Sequence, residues 1–141
     1  MIILASVTDK LRLVTSSVAP VHVHASFADF NGTVVTTGRT NTAIAAAATT
    51  DIVLSPAAAT QRNVKTLHVR TTSPSSPVDV TVQHTDGAVV ANLEKVILAP
   101  NEELSYVEGV GFRHLLADGS VKTQDADAFE TLYNAMAGST L

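Results

Sequence analysis

The chain contains no cysteine and no tryptophan. The first absence removes disulfides, thiolate nucleophiles and every cysteine-based zinc or iron-sulfur site, so stability has to come from packing and backbone pairing. The second, with an aromatic content of only 4%, leaves a stacking platform for sugars or bases poorly supplied. Charge is sparse too: 16% of residues are charged, against roughly 25% in ordinary soluble domains. The basic residues are scattered, without the cluster that would neutralise phosphates, so nucleic acid is not an expected partner. No apolar run approaches the roughly 18 residues of a membrane span. Met1 to Val7 is apolar but brief and meets Asp9 and Lys10 early, which reads as a strand and not as a signal peptide. A soluble protein that stays in the compartment where it is made is the expectation, and that compartment is the cytoplasm.

What fills the vacant places is Thr, Ser and Ala, a surface that costs little to desolvate and suits a protein packed against neighbours. A β-rich domain with threonines on its wet faces explains the same composition without a partner. The 141 residues fit one domain with one core.

The dominant pattern is β-branched residues alternating with polar ones at a period of two. Val21, Val23, Ala25 and Phe27 form one face against His22, His24 and Ser26, Leu67 and Val69 alternate with His68 and Arg70, and Val78, Val80 and Val82 with Asp79, Thr81 and Gln83. Further strands are expected over Lys10 to Thr15, Thr50 to Leu54, Val89 to Leu98, Glu103 to Val107 and Phe112 to Leu116. Asp86-Gly87 marks a hairpin, and Pro100-Asn101, Gly109 to Gly111 and Asp118-Gly119 mark breaks. The spacing predicts an all-β fold, an antiparallel β-sandwich or jelly-roll-like barrel over residues 1–122, with a short C-terminal helix in an extension over 123–141.

Two segments do not read as strands. Asn31 to Thr49 shows no sustained period and is expected to be a long loop, its alanines forming at most a helical turn. Asp125 is placed to cap a helix carrying Ala126, Phe129, Leu132, Tyr133 and Met136 on one face, with Gly138 to stop it. That stripe either folds back on the sandwich or docks on a neighbour. The candidate contact residues are therefore Thr36, Thr37, Arg39, Thr40, Asn41, Thr42 and Ile44 in the loop, and Phe129, Leu132, Tyr133 and Met136 in the helix.

Catalytic chemistry has few carriers. His22 and His24 project from one strand face, as a metal would require, but two ligands do not make a site, and no spacing brings His68 or His84 to them. Wet-face histidines are the simpler explanation. There is no Gly-x-Ser-x-Gly elbow, and Gly109-Val110-Gly111 continues into neither a dinucleotide fingerprint nor a phosphate loop, so it reads as a hairpin turn. Glu102 and Glu103 point to opposite faces of a strand, and Asp125 and Asp127 suit a helix N-terminus. No enzyme activity, cofactor or metal is expected.

In chain order the segments Leu4-Ala5-Ser6 with Asp9-Lys10-Leu11, Val23-His24-Ala25-Ser26-Phe27, Gly38-Arg39-Thr40-Asn41-Thr42 and Arg62-Asn63-Val64-Lys65 are followed by Val80-Thr81-Val82-Gln83-His84-Thr85-Asp86-Gly87, Leu98-Ala99-Pro100-Asn101-Glu102, Glu108-Gly109-Val110-Gly111-Phe112 and Asp118-Gly119. This run, over roughly residues 1 to 122, resembles small virion structural proteins encoded among the head and tail genes of tailed bacteriophages. The resemblance implies a virion component made in the host bacterial cytoplasm, without catalytic residues, that contacts other virion proteins and copies of itself as a homo-oligomer in the particle. Capsid decoration or cementing is the leading role it implies. A neck, tail or fibre-attachment part is the alternative, and a carbohydrate- or ligand-binding module built on the loops of a sandwich is the reading from a different class.

Overall fold

The computed structural model describes residues 1–123 and 135–137. Ten strands follow one another: β1 (Ile2–Leu4), β2 (Lys10–Thr15), β3 (Val21–Phe30), β4 (Val35–Ile44), β5 (Ala48–Val53), β6 (Gln61–Thr71), β7 (Val78–Thr85), β8 (Val90–Leu98), β9 (Glu103–Val107) and β10 (Gly111–Leu115). They pair antiparallel throughout, into two sheets. The larger runs β10-β9-β6-β3-β4, with β1 on the stretch of β6 that β9 leaves unpaired, and the smaller runs β5-β2-β7-β8. The result is an all-β sandwich, and no sheet closes into a barrel.

Alternation decides what lies between the sheets. Val21, Val23, Ala25, Leu67, Val69, Leu104 and Tyr106 come inward from the larger sheet and meet Leu11, Leu13, Val80, Val82 and Leu98 from the smaller one. Each fully buried Val or Leu contributes roughly 1.5–3 kcal/mol over leaving it in water, which replaces the disulfides this chain cannot form. The chain changes sheet repeatedly, as between β1 and β2 and between β4 and β5, so neither sheet assembles from one continuous stretch.

The segment from 31 to 49, expected as a loop, is instead a ten-residue strand, β4, paired with β3 along its whole length from Phe30↔Val35 to Val21↔Ile44. Asn31 to Val34 form the turn that starts it. Its inward positions are Gly38, Thr40 and Thr42, half-buried, and Ile44, buried. Only the last is a large apolar residue, so the hydrophobic alternation that reveals the other strands is missing. The alanines at 45–47 make the corner between sheets, not a helical turn, and Thr15 fastens it by donating to the Ala46 carbonyl at 2.6 Å.

Gly38 is where it is because of Phe27. A Cβ at position 38 would come within 2.5 and 2.7 Å of the Phe27 ring. The Arg62 guanidinium lies over the same ring, 3.8 Å from its centroid. Arg62 grips both oxygens of Asp29, at 2.7 and 2.8 Å, and donates to the Leu54 carbonyl at 2.8 Å. One arginine thus ties β3, β6 and the end of β5 together, with its charge matched and its planar face used.

Candidate interaction surfaces

The two hairpins that open from β3 and β7 are built alike. The segments are Asn31-Gly32-Thr33-Val34-Val35 and Asp86-Gly87-Ala88-Val89-Val90. In the first, the Asn31 side-chain oxygen accepts from the amides of Thr33 and Val34 at 3.1 and 2.9 Å. In the second, Asp86 accepts from Ala88 and Val89 at 2.9 and 2.7 Å. The glycines take φ of +93° and +95°, a conformation L side chains rarely adopt, so the same two residue types recur for the same reason. Those backbone bonds hold the Asp86 carboxyl below the usual carboxylate range.

Both hairpins lie at one end of the sandwich, joined there by the β1–β2 loop. Ala5 lines the same depression as Phe30, Asn31 and Gly32, and Thr8 lies against Gly87. The loop is fixed by Asp9, which accepts from the amides of Ala5 and Ser6 and from the Ser6 hydroxyl. Burial pushes the Asp9 carboxyl up, but those bonds and nearby His84 outweigh it and leave it lowered. This end presents four valines to solvent among exposed polar residues such as Thr8, Thr33 and Asp86: Val34, Val35, Val89 and Val90 are exposed at 54%, 63%, 65% and 47%. Val7, Phe30 and Leu54 are exposed beside them.

The residues singled out from the sequence divide by strand geometry. Thr36, Thr37, Arg39 and Asn41 are exposed on β4, Thr40 and Thr42 face inward and are half-buried, and Ile44 belongs to the core, where no partner reaches it. Thr40 spends its hydroxyl on the Ile52 carbonyl at 2.8 Å, linking β4 to β5. Phe129, Leu132 and Tyr133 lie outside the described residues. Met136 falls in the helical residues 135–137 and is exposed.

The outer face of the larger sheet gathers polar side chains that are far apart in sequence. The register aligns Asn41, His24, His68, Ser105 and Arg113 in one row across five strands, and Ala43, His22, Arg70, Glu103 and Leu115 in the next. His24 is bonded to Asn41 and His68 to Glu103, each at 2.6 Å, with the two rings 6.4 Å apart. His68 therefore does share a face with His22 and His24, although no group of three or more His, Asp or Glu side chains converges on a metal position among the described residues. His84 and His114 are not wet-face residues. The first sits 3.8 Å from Asp9, and the second reaches Glu102 at 2.6 Å.

Glu102 and Glu103 do diverge. Glu102 is buried and closes the β9–β10 flank, accepting from the Ala99 amide at 2.9 Å and from His114, with Lys122 at 3.4 Å. Burial pushes its carboxyl up, and these three partners together bring it below its ordinary value. Gly109 to Gly111 is the β9–β10 hairpin turn, with φ of +83° and +94° at its two glycines. The paired valine tips escaped the sequence reading, although their shared pattern of Asn or Asp, Gly, a small residue and two valines is visible in the chain. The outer-face rows had no such signal, because they exist only once the register is known.

No protein-family model matches the chain, and neither a curated protein nor a solved structure does. Among the described residues no helix is long and apolar enough to cross a membrane.

Proposed function

We propose that this chain is a structural protein of a tailed-phage virion, most simply one that decorates or cements the head, and that it works by docking and not by chemistry. The reading draws on the likeness of residues 1–122 to small virion proteins, and one structural observation carries it: the end that presents four valines on its two matched hairpins. Exposed valines on hairpins whose backbone is already hydrogen-bonded lose little freedom when covered, so most of their burial energy is available to a contact. A domain that had no partner would gain nothing by presenting them twice. A neck, tail or fibre-attachment position uses the same end at lower copy number.

The test is to purify virions and count copies by quantitative gel or image reconstruction. Hundreds of copies support the head surface, about a dozen or fewer move the protein to a symmetric neck or tail position, and absence from particles defeats the assignment. In parallel, replacing Val34, Val35, Val89 and Val90 together by Ser should leave the fold intact and lower occupancy about tenfold, the equivalent of roughly 1.4 kcal/mol. Undiminished occupancy would show that this end is not the docking surface.

A further inference from the structure

Five of the chain's nine lysines and arginines are spoken for. Lys10 and Arg12 share Asp51, Arg62 holds Asp29, Lys65 holds Glu108 and Lys122 reaches Glu102. Among the described residues Arg39, Arg70, Arg113 and Lys95 have no such partner. Three of these four lie on one surface. Arg39 stands opposite Ser26 on β4, Arg70 opposite His22 on β6, and Arg113 opposite Ser105 on β10, all on the outer face of the larger sheet, and all are exposed. The carboxylates nearby, Glu103 and Glu108, are already engaged by His68 and by Lys65 with Asn63. A chain of net charge -4 therefore carries one face with three unspent guanidinium groups.

We infer that this face binds an acidic protein surface, a reading that deepens the proposed docking role by naming the chemistry of a partner. Strand spacing of about 4.8 Å and about 6.7 Å per two residues along a strand put the Cα atoms of Arg70 and Arg113 roughly 12 Å apart and those of Arg39 and Arg113 roughly 20 Å apart. That spread meets several carboxylates on an extended surface, and one small anion does not span it. A nucleic-acid backbone fits less well, since its closely spaced phosphates would run past Glu103 and Glu108. Arginine in place of lysine at all three points suits the paired oxygens of Asp and Glu. Exposed Asn41, His22 and half-buried His24 between the arginines add hydrogen-bonding groups on the same face.

The experiment uses the full chain, isotope-labelled, titrated with a synthetic peptide of alternating Glu and Ser and with the matching Gln and Ser peptide. Amide shifts on β3, β4, β6, β9 and β10 should appear with the first peptide alone and weaken as salt is added. Arg39→Glu, Arg70→Glu and Arg113→Glu, one at a time, should each weaken binding about threefold, the upper range for an exposed ion pair, while Lys95→Glu, an equal charge change on the other sheet, should not. Each variant's thermal melt checks that it folds. Shifts that map elsewhere, equal binding of the Gln peptide, an equal effect of Lys95→Glu, or no binding would overturn the inference. Peptide binding to this face by a protein absent from virions leaves the inference standing and removes the virion reading. A protein abundant in virions whose face binds no acidic peptide does the reverse.

Discussion

Replacing Gly38 by Ala tests whether the Phe27–Arg62 stack is as tightly constrained as it looks. The backbone at Gly38 has no positive φ, so Ala by itself would gain about 0.5–1 kcal/mol from a less flexible unfolded chain and a better strand residue. Against that, the new methyl would sit 2.5 Å from one Phe27 ring carbon and 2.7 Å from another, roughly 1 Å inside ordinary contact. The ring cannot shift freely, because Arg62 packs on it at 3.8 Å and is itself held by Asp29 and the Leu54 carbonyl. Overpacking of this kind costs about 1–3 kcal/mol, and displacing the cation from the ring about 0.5–1 kcal/mol more. The balance is a loss of roughly 1–3 kcal/mol, which lowers the melting temperature by several degrees in a domain this size. Urea and thermal unfolding read it directly. Phe27→Leu in the same background removes the obstructing ring, so the double variant should be more stable than the sum of the two singles by at least about 0.5 kcal/mol. A Gly38→Ala protein as stable as the parent, or strictly additive effects, would refute the reasoning.

Acid should destabilise the fold through Glu102 and Asp9. Both carboxyls are lowered on folding, so their stabilisation is complete above the ordinary carboxylate range of about 4 and is lost as pH falls through the depressed folded values. Stability measured from pH 6 downward should drop most steeply below about pH 4, and Glu102→Gln should flatten part of that drop; an unchanged slope would remove Glu102 from the account. Deleting residues 36–48 should not yield a folded domain, because it strips β3 of its partner β4 and exposes Val21, Val23 and Ala25. A cooperative unfolding transition for that deletion, with strand-rich circular dichroism, would show that β4 is dispensable.

Period-two alternation was enough to place most of this sandwich, because in β2, β3, β6 and β7 one face is large and apolar and the other polar. β2, at Lys10–Thr15, and β9, at Glu103–Val107, even begin and end where the pattern does. The turn chemistry was local as well: Asp-Gly at 86 and the two glycines at 109 and 111 need conformations that few other residues adopt. β4 was invisible for the opposite reason. Its inward positions are Gly38, Thr40 and Thr42, chosen to pass beside the Phe27 ring and to bond across to β5, and a strand that packs small and polar atoms inward leaves no hydrophobic period to read. The candidate surfaces took shape later still. Whether Arg39, Arg70 and Arg113 share a face depends on register across five strands, and whether Val34 and Val89 share an end depends on how two sheets stack. Alternation is a property of neighbours in sequence, while a surface is shared by residues that only pairing and packing bring together.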